Sequence, residues 1–295
     1  MDRRSIGLGF LLLVTIGLRS TGQSIRVVPG APGPGAYVDV EGSKLYYEEC
    51  GTGPQAVVLI HDGLAHSAVW DGIWPTLCQR YHTIRYDRRG YGRSPAATSW
   101  YSELDDLSTL LRHLAIKHAS LVASSHGAEL SIDFTLQYSQ LVKQLVLVGP
   151  VVSGMPYTDY FLTRGAVHFQ PIPATDTAAL IAYWNNDKYV LAPGHDSARA
   201  RLHAILASSP QDLAPSYFIR PIQPALPRLR EVRVPTLILV GDADIPDVHA
   251  HAGAIEAGIA GSRRIVLRDA GHLMYLEIAD VFARTVTDFL DRTSY

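Results

Sequence analysis

Short apolar runs alternate with helix-length amphipathic segments along most of this chain, and that alternation restricts the fold more than any other feature. Ala56–Ile60 is apolar throughout, the mark of a strand covered on both faces in a parallel sheet. The pattern predicts a helix over Val69–Tyr81, a strand at Thr83–Tyr86 and a helix over Glu103–Ile116, where Leu104, Leu107, Leu111 and Leu114 share one face. A strand at Leu121–Ala123, a helix over Gly127–Tyr138 and a strand at Leu145–Val148 follow. After a gap come a strand at Thr236–Val240, a helix over Val248–Ile259, a strand at Arg264–Leu267 and a helix over Ile278–Leu290. Upstream, a strand from Tyr37 turns at Glu41-Gly42 into a second strand, Lys44–Glu49. The expected class is α/β, a mostly parallel central sheet with helices on both faces joined by right-handed crossovers.

The gap, residues 151–231, is rich in aromatic residues and broken by prolines, with helices expected at 177–185 and 196–208. Because strands resume beyond it, it reads as an inserted, mainly helical cap on a core formed by 23–150 and 232–295. Eighty residues without structure would be unusual inside a domain.

Arg3 and Arg4 precede an apolar run from Ile6 to Leu18, then small and polar residues through Gly22. That order is expected of a signal peptide, residues 1–22, cleaved after Gly22, and of a secreted or periplasmic protein. The run is shorter than the roughly 20 residues that cross a bilayer, so no stable membrane span is expected in the mature protein. Cys50 and Cys78 are the two cysteines. Such a compartment permits a disulfide between them, and two buried thiols are the alternative. A formal net charge of -2 gives no electrostatic footprint for nucleic acid.

Chemistry concentrates where strands end. In Leu121-Val122-Ala123-Ser124-Ser125-His126-Gly127-Ala128 a strand runs through a sharp turn into a helix. A serine on such a turn projects its hydroxyl above the sheet, and the following N–H points to the same spot. Leu59-Ile60-His61-Asp62-Gly63 follows the third strand, and Tyr86-Asp87-Arg88-Arg89-Gly90-Tyr91-Gly92-Arg93-Ser94 follows the fourth. Gly241-Asp242-Ala243-Asp244 and Asp269-Ala270-Gly271-His272 follow the last two.

Together these segments resemble the α/β-hydrolase family. The serine turn is similar to its Gly-x-Ser-x-Gly, with Ala123 in the first glycine position. The His61 segment resembles its His-Gly loop, with Asp62 where glycine is common. The Asp87 segment resembles its Asp-x-Arg-Gly-x-Gly-x-Ser turn, whose role is structural. The resemblance implies a catalytic triad of Ser125, Asp244 and His272 in the chain order Ser…Asp…His. It implies an oxyanion hole from the backbone N–H groups of Gly63 and His126, with Leu64 as the alternative to Gly63. His61 is expected to hold its loop by hydrogen bonds.

Other residues compete for these roles. Asp242 shares a loop with Asp244, and Asp247 is the fallback acid; Asp269 is expected to serve a turn. His249 and His251, two apart on a helix, face different directions, so no metal site is expected. No cofactor is expected either. A serine hydroxyl needs an imidazole to take its proton, and the imidazole needs a carboxylate to fix its tautomer. The expected reaction is hydrolysis of a small-molecule ester or lactone, moderately apolar, through an acyl-enzyme. A carbon–carbon bond hydrolase is a rival, with Arg164 or Arg220 holding a substrate carboxylate. A cofactor-independent dioxygenase, suggested by Ser125-His126, and a ligand-binding receptor with little turnover are the others.

Overall fold

A computed structural model describes residues 35–163, 175–213 and 218–292. The expected signal peptide and Arg164 lie outside the described residues. Eight strands form one sheet in the order β1-β2-β4-β3-β5-β6-β7-β8. They are β1 (Ala36–Val40), β2 (Ser43–Cys50), β3 (Ala56–Ile60), β4 (His82–Tyr86), β5 (Ala119–Ser124), β6 (Val142–Val148), β7 (Thr236–Gly241) and β8 (Arg263–Leu267). The β1–β2 hairpin pairs antiparallel to β4, and every pairing from β4 to β8 is parallel.

The strands alternate their side chains between two hydrophobic layers, which is why β3 and the Leu121–Ala123 stretch of β5 are apolar. Leu121 and Ala123 face one layer while Val122 faces the other; Leu145 and Leu147 oppose Val146 and Val148 likewise. Helices α2 (Glu103–His113), α3 (His126–Gln137) and α7 (Pro246–Gly258) cover the first layer through Leu107, Ile132 and Val248. The second is covered by α1 (Trp74–Cys78), α8 (Met274–Glu277) and α9 (Ala279–Arg292) through Leu77, Tyr275 and Phe282. Ser102 caps α2 by accepting a bond from the Asp105 N–H at 3.1 Å.

One helix differs from expectation. The segment Val69–Tyr81 is a 3-10 turn at Ser67–Trp70 followed by the short α1, because Pro75 is tolerated only at a helix start. Its apolar residues are buried all the same, among them Val69, Trp70, Ile73, Trp74 and Leu77. The last helix, expected over Ile278–Leu290, is the continuous α9, and α8 is an extra short turn before it. Between β6 and β7 lie α4 (Asp159–Thr163), α5 (Thr177–Asn186) and α6 (Asp196–Ser208). A disulfide joins Cys50, the last residue of β2, to Cys78, the last of α1, with 5.3 Å between their Cα atoms. No helix among the described residues is long and apolar enough to cross a membrane.

Candidate active site

Ser125 leaves β5 and caps α3 with φ 54° and ψ −117°, a left-handed conformation that a non-glycine residue adopts only under strain of about 1–3 kcal/mol. The turn is held by the Ser125 N–H donating to Val148 O at 2.9 Å. Two residues on, Gly127 presses against β3: a Cβ there would lie 2.5 Å from His61 O and 2.7 Å from Ile60 O. Any side chain at 127 would therefore lever the helix, and the serine with it, away from the sheet.

Asp244 and His272 meet beyond the ends of β7 and β8. His272 Nδ1 is 3.1 Å from Asp244 Oδ1 and 3.0 Å from Oδ2. The Asp244 side chain is fully buried and also accepts a bond from the Ile245 N–H at 2.7 Å. Gly149, just past β6, makes room for the pair, since a Cβ there would sit 2.9 Å from His272 Nδ1 and 3.2 Å from Asp244 Oδ2. The His272 and Leu273 N–H groups donate to Tyr189 O and Val190 O, and Glu277 accepts from Gly271 N–H and Ala192 N–H. The segment between β6 and β7 is thus fastened directly to the histidine loop.

The competing carboxylates are engaged elsewhere. Asp242 accepts from the Ala270 N–H at 3.2 Å. Asp247 accepts from both the N–H and the hydroxyl of Thr158. Asp269 sits in a turn at φ 57°. His249 is half-buried, whereas His251 is buried with Nδ1 accepting from the Val152 N–H.

The loop after β3 brings Gly63 to the serine turn: its ideal Cβ position is 3.6 Å from His126 Cβ. Leu64 and Ala65 N–H both donate to Asp62 Oδ1, at 2.6 and 3.1 Å, which removes Leu64 as a donor toward the cavity. The His126 N–H lies in the first helical turn, where no intrahelical acceptor exists. Among the described residues neither it nor the Gly63 N–H meets an acceptor. Burial, reinforced by the Arg88 charge, pushes the His61 imidazole well below its ordinary range. It is therefore neutral, its Nδ1–H donating to Asp62 O at 2.8 Å while Nε2 accepts from the Arg88 N–H at 3.0 Å. His61 is a loop brace.

Ser125, His126, His272 and Gly63 line one cavity of about 230 Å³. Leu64, Val151, Tyr157, Phe161, Trp184 and Val248 form much of its apolar wall, and Tyr157 is stacked between Phe161 and His251. Strand ends on a parallel sheet are where open α/β folds bind ligands. A family model described as the alpha/beta hydrolase family matches residues 57–285. The chain belongs to that family. A curated relative, the 2-hydroxy-6-oxononadienedioate/2-hydroxy-6-oxononatrienedioate hydrolase of Escherichia coli (strain K12), is 30% identical over 268 residues, covering 84% of this chain and 91% of that protein. Two solved structures share the fold. One is the carboxylesterase CesB from Bacillus subtilis, TM-score 0.69 and 19% identical over 87% of this chain and 91% of that one. The other is the enol-lactonase from Burkholderia xenovorans LB400, TM-score 0.69 and 21% identical over 87% and 100%.

A second cavity of about 190 Å³ lies on the far side of His126, lined by Glu103, Glu129, Asp133 and Arg220. Burial alone would raise the Glu103 carboxyl, but Arg88 and His126 outweigh it and hold it down at about 2. His126 Nε2 stands 3.1 Å from Glu103 Oε2, so the side chain of the residue after Ser125 is anchored to α2. Arg220 pairs with Glu41 at the surface at 3.1 Å and does not reach the Ser125 cavity.

Asp133 in the same wall is pushed up to about 7 by burial, only partly offset by the Ser153 hydroxyl at 3.0 Å. The folded carboxyl keeps its proton longer than the unfolded one, so it lowers stability as pH rises from about 4 to about 7. Asp133→Asn is expected to raise stability at pH 8 by on the order of 2 kcal/mol and to change little below pH 4. Urea unfolding at the two pH values checks this; an unchanged midpoint at pH 8 would contradict it.

Proposed function

We propose that this chain is a serine hydrolase that cleaves a small to medium, moderately apolar carboxylic ester or lactone through an acyl-enzyme on Ser125. The observation that carries it is the bonded Asp244–His272 pair opening, with the strained Ser125, onto one largely apolar cavity. With Nδ1–H turned to Asp244, Nε2 of His272 is the nitrogen that takes the Ser125 proton. Oγ then bonds to the carbonyl carbon, and the oxyanion is met by the Gly63 and His126 N–H groups. The C–O bond to the alcohol breaks as His272 returns the proton, and water repeats the sequence to release the acid. Residues 151–231 act as a cap whose Tyr157, Phe161 and Trp184 wall the acyl or alcohol pocket. Export with loss of residues 1–22 is part of the proposal, and the Cys50–Cys78 bridge fits an oxidising compartment.

Carbon–carbon bond hydrolysis is the second reading, favoured by the Escherichia coli relative, whose named substrates are dioates. The apolar wall of the Ser125 cavity, formed by Leu64, Val151, Tyr157, Phe161, Trp184 and Val248, supports the ester reading. Hydrolysis of p-nitrophenyl esters of increasing acyl length tests it. Turnover that peaks at short chains and falls as the acyl group outgrows the cavity is expected. No turnover at any length, with cleavage of a 2-hydroxy-6-oxo-dienoate, would move the assignment to the second reading.

A further inference from the structure

Asp62 stands where the family commonly has glycine, and its side chain does not face solvent. The residue is 1% exposed; Oδ1 holds the Leu64 and Ala65 N–H groups, and Oδ2 lies 2.9 Å from the Tyr275 hydroxyl. Tyr275 Oη is also 3.2 Å from Ser124 Oγ, and both residues are fully buried. Tyr275 has one proton to give. A carboxylate accepting three bonds is acceptor-only, so Tyr275 donates to Asp62 while its oxygen accepts from the Ser124 hydroxyl. One buried chain, Ser124–Tyr275–Asp62, therefore joins the residue before Ser125, the helix three residues past His272 and the loop that presents Gly63.

We propose that Asp62 and Tyr275 are positioning residues that fix the direction of the Gly63 N–H toward the reacting carbonyl; this rests on the hydrolase reading above. The peptide between Asp62 and Gly63 is trans and planar, so the Gly63 N–H points opposite to Asp62 C=O. That carbonyl is pinned by His61 Nδ1–H at 2.8 Å and by Arg88 Nη2 at 3.2 Å. Tyr91 OH donates to Gly63 O at 3.2 Å on the other side of the residue. The Asp62 carboxylate completes the restraint by drawing the next two N–H groups inward, away from the cavity. Without it the loop is free to swing Leu64 N–H outward and tilt the Gly63 peptide. An oxyanion donor acts through its aim, and small misplacements weaken it mainly in the transition state.

The test uses the full protein with p-nitrophenyl acetate, counting active sites by fluorophosphonate titration so that unfolded molecules do not enter kcat. Asp62→Ala is expected to lower kcat roughly 10- to 100-fold with KM changed less than about twofold, and to weaken phenylboronic acid by a similar factor. Asp62→Asn is expected to fall between, since an amide oxygen can still hold Leu64 and Ala65. Tyr275→Phe should lower kcat less than Asp62→Ala, and the double variant should fall short of the product of the two effects. Unchanged kcat per active site in Asp62→Ala, or in Tyr275→Phe if the former does not fold, overturns the proposal even if melting temperatures drop. Absence of hydrolysis by the native protein would instead remove the hydrolase reading, and the proposal with it.

Discussion

Ser125→Ala is expected to lower kcat for a short p-nitrophenyl ester by roughly 10⁴-fold or more while leaving the fold intact. The size follows from the loss of the covalent route. Ser124, the adjacent serine, is fully buried and its oxygen is bonded to Tyr275 beneath the turn. Residual rate in the variant comes from the oxyanion donors and binding alone. Alanine at 125 keeps the left-handed backbone strain, so stability should shift little. A variant within tenfold of the native rate would mean that the hydrolysis does not run through Ser125.

Removal of the Cys50–Cys78 bridge is the largest expected effect on stability. The bridge closes a 28-residue separation that contains β3 and α1. On the chain-entropy account a loop of that length contributes about 3–4 kcal/mol by restricting the unfolded chain. The helix it anchors is only five residues long, too short to persist without tertiary support. Cys50→Ala/Cys78→Ala should therefore be less stable by that amount and unfold at lower urea concentration, with native-like ester turnover at low temperature because Cys50 pairs with Thr83 near the start of β4, whereas Ser125 follows the end of β5. Equal midpoints for the double variant and the oxidised native protein would contradict this.

The sheet was legible in the sequence because β3, Leu121–Ala123 of β5 and Leu237–Val240 of β7 are short, continuously apolar runs, which few other environments require. The segment 69–81 was not: its helical spacing of apolar residues is also met by two short turns, and Pro75 decides between them. The resemblance to the family implied Ser125, Asp244 and His272 as neighbours, and the structure brings Asp244 and His272 into contact and Ser125 into their cavity. The choice of Asp244 over Asp242 and Asp247 rested on the resemblance to the family's pattern, and the latter two bond to Ala270 and Thr158. Gly149 and Tyr275 carried no local signal. The space that Gly149 leaves exists only once β6 lies beside β7, and Tyr275 meets Asp62 across 213 residues of chain. Asp62 itself offered the one clue, a carboxylate in a loop where glycine is usual. Whether the cysteines pair depended on the packing of α1 against the sheet, which composition does not encode.

The most direct measurement is intact-mass and peptide analysis of the native protein after reaction with a fluorophosphonate ester at neutral pH. A single adduct per chain, mapped to Ser125 and absent from Ser125→Ala, is the predicted result. An unmodified protein that still hydrolyses esters, or an adduct mapped to any other residue, would contradict Ser125 as the nucleophile.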